Sequence, residues 1–245
     1  MKVIVTNSYD ETCAVIANMI KELVNAKPDA KLGLATGGTP VPIYKKLIEM
    51  NKAGEVDFSR VHTVNLDEYC GIPGTHDQSY RYFMDTNLFD HINIDKKNTF
   101  VASGMGDFEA NAREREEKVR EGGAADLQLL GIGNNGHIAF NEASDHLIAV
   151  AHTEKLTEST INANARFFEK KEDVPTMAIT MGMGDILAAK KVVLAATGLA
   201  KVPAIKGLIM DDVITTQNPS TMLKMHEDAV VVIDRELADA VGYRA

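Results

Sequence analysis

Residues 31–50 read KLGLATGGTPVPIYKKLIEM, and their reading decides the fold. The first five residues form an apolar run short enough to be a buried strand, and Gly37-Gly38 then breaks it. Pro40 introduces a helical pattern over 41–52, where the fixed φ of proline suits a first turn. The same unit recurs along the chain. Apolar, β-branched runs at 2–6, 61–65, 127–132, 177–181, 192–196 and 229–233 read as further strands. Helical patterns lie between them. Over 10–26, Ala14, Val15, Met19, Ile20 and Leu23 share one face; 107–121 reads as a charged surface helix, and 199–209 as another. Buried strands alternating with helices predict an α/β fold, a doubly wound, mostly parallel sheet with helices on both faces of a Rossmann-like type.

No repeat, low-complexity segment or linker divides 1–245, so one domain is expected. Residues 155–174 interrupt the rhythm with Asn162, Asn164 and a charged run over 169–173. They read as a mobile lid; an amphipathic surface helix with a charged end is the other reading.

The chain of 245 residues is 45% hydrophobic, enough to bury one substantial core. No stretch reaches the roughly 18 apolar residues of a membrane span, and the N-terminus runs into a strand pattern without a signal sequence. A cytoplasmic protein with no membrane partner is expected. A net charge of −9 and the lack of a long basic run exclude nucleic acid as a partner. Cys13 and Cys70 have no further Cys or His at ligand spacing, so no metal site is expected.

In a parallel sheet, ligands bind beyond the carboxyl ends of the strands. Four exits here are chemically unusual. After 31–35 come Thr36, Gly37, Gly38 and Thr39 at a helix start, which offers unpaired amides to a phosphate. Asp67 and Glu68 follow 61–65; one can serve as a base, and a helix cap is the alternative. After 127–132 lies GNNGHIAFNE, which sets His137 among glycines, Asn135 and a carboxylate, Glu142, able to orient it. The fourth exit, after 192–196, offers Lys201, and Arg166 in the suspected lid is a second cation for the same phosphate. A phosphate anchor, a carboxylate base and an oriented imidazole suit proton abstraction beside a masked carbonyl. The glycine runs match neither G-x-x-x-x-G-K-[ST] nor G-x-G-x-x-G, which argues against a nucleotide.

The strings LATGGTP (34–40), NLDEYCG (65–71), SYRYFM (79–84), GIGNNGHIAFNE (131–142), NARFF (164–168) and AITMGMGDILAAKKVVLAATGLAK (178–201) together resemble the glucosamine-6-phosphate deaminase family, also called isomerases. The resemblance covers most of the chain in the family's order. It implies conversion of glucosamine 6-phosphate and water to fructose 6-phosphate and ammonium, with no metal or organic cofactor and a small amino-sugar phosphate as partner. It also implies roles. His137 would assist opening of the pyranose ring, and Asp67 would move a proton from C2 to C1. Asn135 and Glu142 would support the histidine, and Gly37, Gly38, Thr39, Arg166 and Lys201 would hold the phosphate. Some members carry Asp where this chain has Asn135.

After Glu142 the chain departs from the family's Asn-Glu-Pro, running Ala143, Ser144, Asp145, His146, Leu147. Without that proline the backbone at Glu142 is less constrained. Rival readings are a galactosamine-6-phosphate deaminase, a 6-phosphogluconolactonase and a sugar-phosphate sensor without catalysis. The lactonase loop usually continues toward Ser-Leu-Phe-Pro, and a sensor is expected to lack Asp67 or His137. Enterobacterial relatives bind the activator N-acetylglucosamine 6-phosphate through a serine, an arginine and a lysine beyond the matching Glu142. The same offsets here reach Asp145, His152 and Glu154, and the chain ends at Ala245, short of those relatives' C-terminal extension. A monomer or small homo-oligomer with hyperbolic kinetics is therefore expected.

Overall fold

The structure, a computed structural model, describes residues 1–244. Its elements run β1 (Lys2–Thr6), α1 (Tyr9–Ala26), β2 (Lys31–Leu34), α2 (Val41–Lys52), β3 (His62–Asn65), β4 (Asp67–Tyr69), α3 (Tyr80–Asn87), β5 (Thr99–Phe100), α4 (Phe108–Arg120) and β6 (Leu127–Leu130). Then follow β7 (His152–Lys155), α5 (Glu158–Asn164), β8 (Met177–Thr180), α6 (Met183–Leu187), β9 (Val192–Ala196), α7 (Val202–Ile209), β10 (Ala229–Asp234) and α8 (Arg235–Val241). Seven strands form one sheet in the order β1-β10-β9-β6-β2-β3-β5, and every pairing in it is parallel. This is the α/β architecture that the alternating pattern predicts.

The central strands explain why the sheet holds. All residues of β6, β9 and β10 are buried, and β10 is largely valine and isoleucine, whose branched side chains suit a pleat covered on both faces. Burying each such side chain contributes about 1.5–3 kcal/mol. The seam between β2 and β6 depends on a glycine: a Cβ at Gly33 would stand 1.9 Å from Oε1 of Gln128, whose buried amide donates to Leu129 O. The surrounding helices are capped by their own sequence. Ser8 accepts from Glu11 N at the start of α1, and Asp107 accepts from Glu109 N and Ala110 N at the start of α4. At the other end of α4, Lys31 Nζ donates to four carbonyls, those of Lys118, Val119, Glu121 and Gly123.

One strand sits elsewhere than the pattern suggests. The run at 177–181 yields β8, but β8 joins a second sheet, antiparallel between β4 and β7. A short apolar run announces burial and does not announce its partners. β4 itself, DEY, is too polar and short to read as a strand. Leu66 separates it from β3 and bends the chain from one sheet to the other, its N–H donating to Leu34 O and its carbonyl accepting from Met181 N. The small sheet has its own apolar support in Tyr69, Phe140, Leu156 and Ala178. Cys13 and Cys70 are free buried thiols. Among the described residues no helix is long and apolar enough to cross a membrane.

Candidate active site

The chain leaves β2 for β3 on one side, and β6 later occupies the other side, so the strand order reverses at β2. Beyond the carboxyl ends of these strands lies a cavity of about 460 Å³. Gly37, Gly38, Thr39, Asp67, Asn135, His137, Arg166 and Lys201 all line it. Glu142, the remaining residue singled out in the sequence, stands behind His137 rather than on the wall.

At one end the loop after β2 turns through Gly37, whose φ of 91° favours glycine, and a Cβ on Gly37 or Gly38 would meet nothing within 4 Å. The glycines therefore serve conformation and open access. The loop is pinned from outside, by Tyr44 Oη donating to Ala35 O at 2.5 Å and Tyr9 Oη donating to Thr39 O. α2 begins with no side-chain cap, and the loop residues Gly37, Gly38 and Thr39 just before it line the cavity. Lys201 ends a 3-10 turn before α7, and Arg166 lies in a 3-10 turn after α5. Burial lowers the Lys201 ammonium, and the nearby positive charge of Arg166 lowers it further. Two cations thus converge with no ion pair to any carboxylate of the described residues, an arrangement that an anion would relieve.

Opposite them, alternation along β4 separates the Asp67-Glu68 pair. Glu68 turns inward and caps α3, accepting from Ser79 Oγ at 2.7 Å, Tyr80 N at 2.9 Å and Arg81 N at 3.0 Å. It is the helix cap that a lone acid pair suggests. Asp67 faces the cavity, 7% exposed. Burial pushes its carboxyl up to about 7, against the pull of the Arg115 charge and with some help from Glu68. A carboxyl poised near neutral pH can both take and return a proton.

The third wall is the loop after β6. His137 Nδ1 stands 3.2 Å from Glu142 Oε2. Burial alone would push the Glu142 carboxyl up, but the hydrogen bond and charge of His137, with hydrogen bonds from Thr160 and Asn135, hold it at about 2. An ionised carboxylate only accepts, so Nδ1 is the nitrogen that donates to Glu142 and Nε2 is the one turned away from that contact. Asn135 ties this pair together, its Nδ2 donating to Glu142 Oε2 at 2.7 Å and its Oδ1 accepting from His137 N at 3.2 Å. Glu142 is held by Thr160 Oγ1, by Thr157 Oγ1 at 3.4 Å and by the anchoring of Asn141 to Ile138 O and Met181 O. The missing proline after Glu142 is thereby offset by side-chain contacts. Ala139, which also lines the cavity, has φ 54°, uncommon for a residue with a side chain.

Three residues at or beneath the cavity carry no role in the sequence reading. Tyr80 lines it and stacks on Phe140 at 6.2 Å. Thr160 lines it from α5, in the segment over 155–174, and reaches Glu142. Arg115 lies buried beneath Asp67. Tyr80 follows the capping Ser79, a visible signal for a helix start but not for a cavity wall. No group of three or more His, Cys, Asp or Glu side chains able to hold a metal occurs among the described residues.

The profile of the family described as glucosamine-6-phosphate isomerases/6-phosphogluconolactonase matches residues 6–232. The glucosamine-6-phosphate deaminase of Clostridium beijerinckii is 53% identical over 98% of this chain and 100% of its own. That of Clostridium perfringens strain 13 is 51% identical over 97% of this chain and 98% of its own. Among solved structures, a monomeric glucosamine-6-phosphate deaminase of the NagB superfamily superposes with a TM-score of 0.95 at 39% identity, covering 98% of this chain and 100% of that one.

Proposed function

The chain belongs to the family of glucosamine-6-phosphate isomerases and 6-phosphogluconolactonases, and from that premise we propose that it converts glucosamine 6-phosphate and water to fructose 6-phosphate and ammonium. The observation that carries the reading is the pairing, across one cavity, of a carboxyl held at about 7 with an imidazole oriented by an ionised glutamate. The phosphate enters the Gly37 to Thr39 amides and meets Arg166 and Lys201. His137 takes the proton of the C1 hydroxyl and gives one to the ring oxygen, the bond from C1 to that oxygen breaks, and the pyranose opens to an aldehyde at C1. Asp67 then takes the C2 proton; the C2 electrons form an enolamine double bond with C1 while O1 takes a proton from the C2 ammonium, and as the first proton returns from Asp67 to C1 the nitrogen lone pair closes onto C2. The product is an imine at C2. Water adds to that carbon, the C–N bond breaks, and ammonium leaves with the ketone behind.

Each protein group acts once as base and once as acid, so the sites are restored at the end of a turnover. An amino sugar rather than a lactone is favoured by Asp67, since lactone hydrolysis moves no proton between carbons. A monomer in the cytoplasm is the state we propose, by analogy with the monomeric relative. The test is ammonium release from glucosamine 6-phosphate carrying deuterium at C2, with the label expected at C1 of the product. No ammonium, or equal rates with galactosamine 6-phosphate, would overturn the assignment.

A further inference from the structure

α4, FEANAREREEKVR, is mostly charged, yet one of its arginines is wholly buried. Arg115 shares the inner stripe of the helix with Ala112 and Val119, and its Nη2 donates to the carbonyl of Asn65, two residues before Asp67. Burying a guanidinium is unfavourable unless a negative charge answers it. No carboxylate bonds to it directly, and its Nε and Nη1 have no hydrogen-bond partner. Its charge is instead faced by Asp67 from β4 and by Asp185 from α6. Asp185 is in turn held by Arg120, at 3.2 Å. Around Asp67 the remaining groups are Glu68, which opposes its ionisation, and the hydroxyls of Tyr69 and Tyr80.

The way Arg115 is held decides what it can do. A cation bonded to Asp67 would keep the carboxylate ionised and occupy the oxygen that must receive a proton. One fixed on a backbone carbonyl nearby leaves both oxygens free, and Asp67 accepts no hydrogen bond from any described residue. We propose that Arg115 is a positioning residue for the reaction, its backbone-anchored guanidinium supplying the positive field that lets the buried Asp67 be ionised while its oxygens stay open to substrate. α4 is pinned at both ends, by the Asp107 cap and the Lys31 clasp, which fixes the depth of that charge. The inference rests on Asp67 being the base.

The experiment is the pH dependence of kcat/KM for ammonium release in the wild type, Arg115→Met, Arg115→Lys and Asp185→Asn. The ionisations of the substrate are common to all four and cancel in the comparison. Arg115→Met should move the acidic limb upward by about one pH unit or more, as expected for loss of a nearby opposite charge. Arg115→Lys, which keeps the charge, should return it toward the wild type. Asp185→Asn removes the anion that offsets Arg115 and should move the limb to lower pH; it carries the test if Arg115→Met does not fold. A limb unmoved in folded Arg115→Met, or one that stays or rises in Asp185→Asn, overturns the inference. Asp67→Asn separates the two readings: near-normal activity defeats the assignment of the base, whereas an inactive Asp67→Asn beside an unmoved Arg115→Met limb defeats Arg115 alone.

Discussion

Gly133 and His137 share a space that admits no side chain at position 133, where a Cβ would stand 2.4 Å from Nε2 of the imidazole. The loop closes on itself there, with Gly133 N donating to His137 O at 2.9 Å. Nε2 is the nitrogen left free by the Glu142 contact, so Gly133 determines where that nitrogen sits. Gly133→Ala should displace the ring and lower kcat by about 10²-fold or more, as for loss of a general acid–base group. Inhibition by inorganic phosphate, read at the opposite end of the cavity, should be unchanged. Retained turnover would show that the ring position does not matter.

Asp67→Asn should likewise lower turnover by at least about 10²-fold. It should also raise stability in alkaline solution. The carboxyl is raised from 3.8 to about 7 by burial, so the folded state holds its proton more tightly than the unfolded one. Its contribution is full below about pH 4 and is lost as pH rises through about 7. A neutral amide escapes that loss. Thermal melting of the two proteins at pH 5 and pH 8 is the check, with the Asp67→Asn variant expected to gain at pH 8 relative to pH 5, by on the order of 1–4 kcal/mol.

Glu142 shows the opposite sign. Its carboxyl is held at about 2, so its contribution is present above the unfolded value of about 4.5 and is lost as pH falls through 2. It is ionised throughout the range of activity. Glu142→Gln should therefore lower kcat, by replacing the charged acceptor for His137 Nδ1 with a neutral amide, without moving the acidic limb near pH 7 that Asp67 sets. A shifted limb in the Glu142→Gln variant would reassign that titration to the histidine pair.

Arg166→Ala and Lys201→Ala should each raise KM for the sugar phosphate, with charge-assisted contacts contributing roughly 1.5–3 kcal/mol apiece. Because the Arg166 charge depresses the Lys201 ammonium, the Arg166→Ala enzyme assayed without ligand should hold the Lys201 proton more tightly than the wild type, measurable by the reactivity of that amine toward acylating reagents as a function of pH. An unchanged KM for Lys201→Ala would leave that residue as a neighbour only.

Counted by offset from Glu142, the activator positions of enterobacterial relatives would fall here on Asp145, which is exposed, and on His152 and Glu154, which pair at 3.3 Å on β7. Carboxylates at two of three such positions oppose a phosphate. Rates should follow a hyperbola in substrate and should not respond to N-acetylglucosamine 6-phosphate. A sigmoidal curve straightened by that compound would contradict this.

The strand and helix alternation was legible because β9 and β10 are short runs rich in apolar residues and because β2, β9 and β10 each lead into a helix. The second sheet was not, because DEY at 67–69 has the composition of a turn and becomes a strand only by pairing with β8. Of the cavity residues named from the sequence, all but Arg166 could be gathered from strand exits, whereas Tyr80 and Thr160 lie on helices and could not. Which member of the Asp67-Glu68 pair faces the cavity depends on the phase of that hidden strand. The sequence of α4 did contain a trace of Arg115, since 112, 115 and 119 share a helical stripe, but eight charged side chains among its thirteen residues obscured it.

The anchor for the phosphate and the groups that move protons come from different strand exits: Gly37 to Thr39 after β2 and Lys201 after β9, against Asp67 on β4 and His137 after β6. Ancestry can act on these separately. A lineage can exchange the residues at one exit and alter the reaction while inheriting the phosphate grip from another, and each intermediate in that history still captures its ligand. A family whose description joins an isomerase with a lactonase, both named for 6-phosphorylated sugars or sugar acids, is the outcome such a divided site allows.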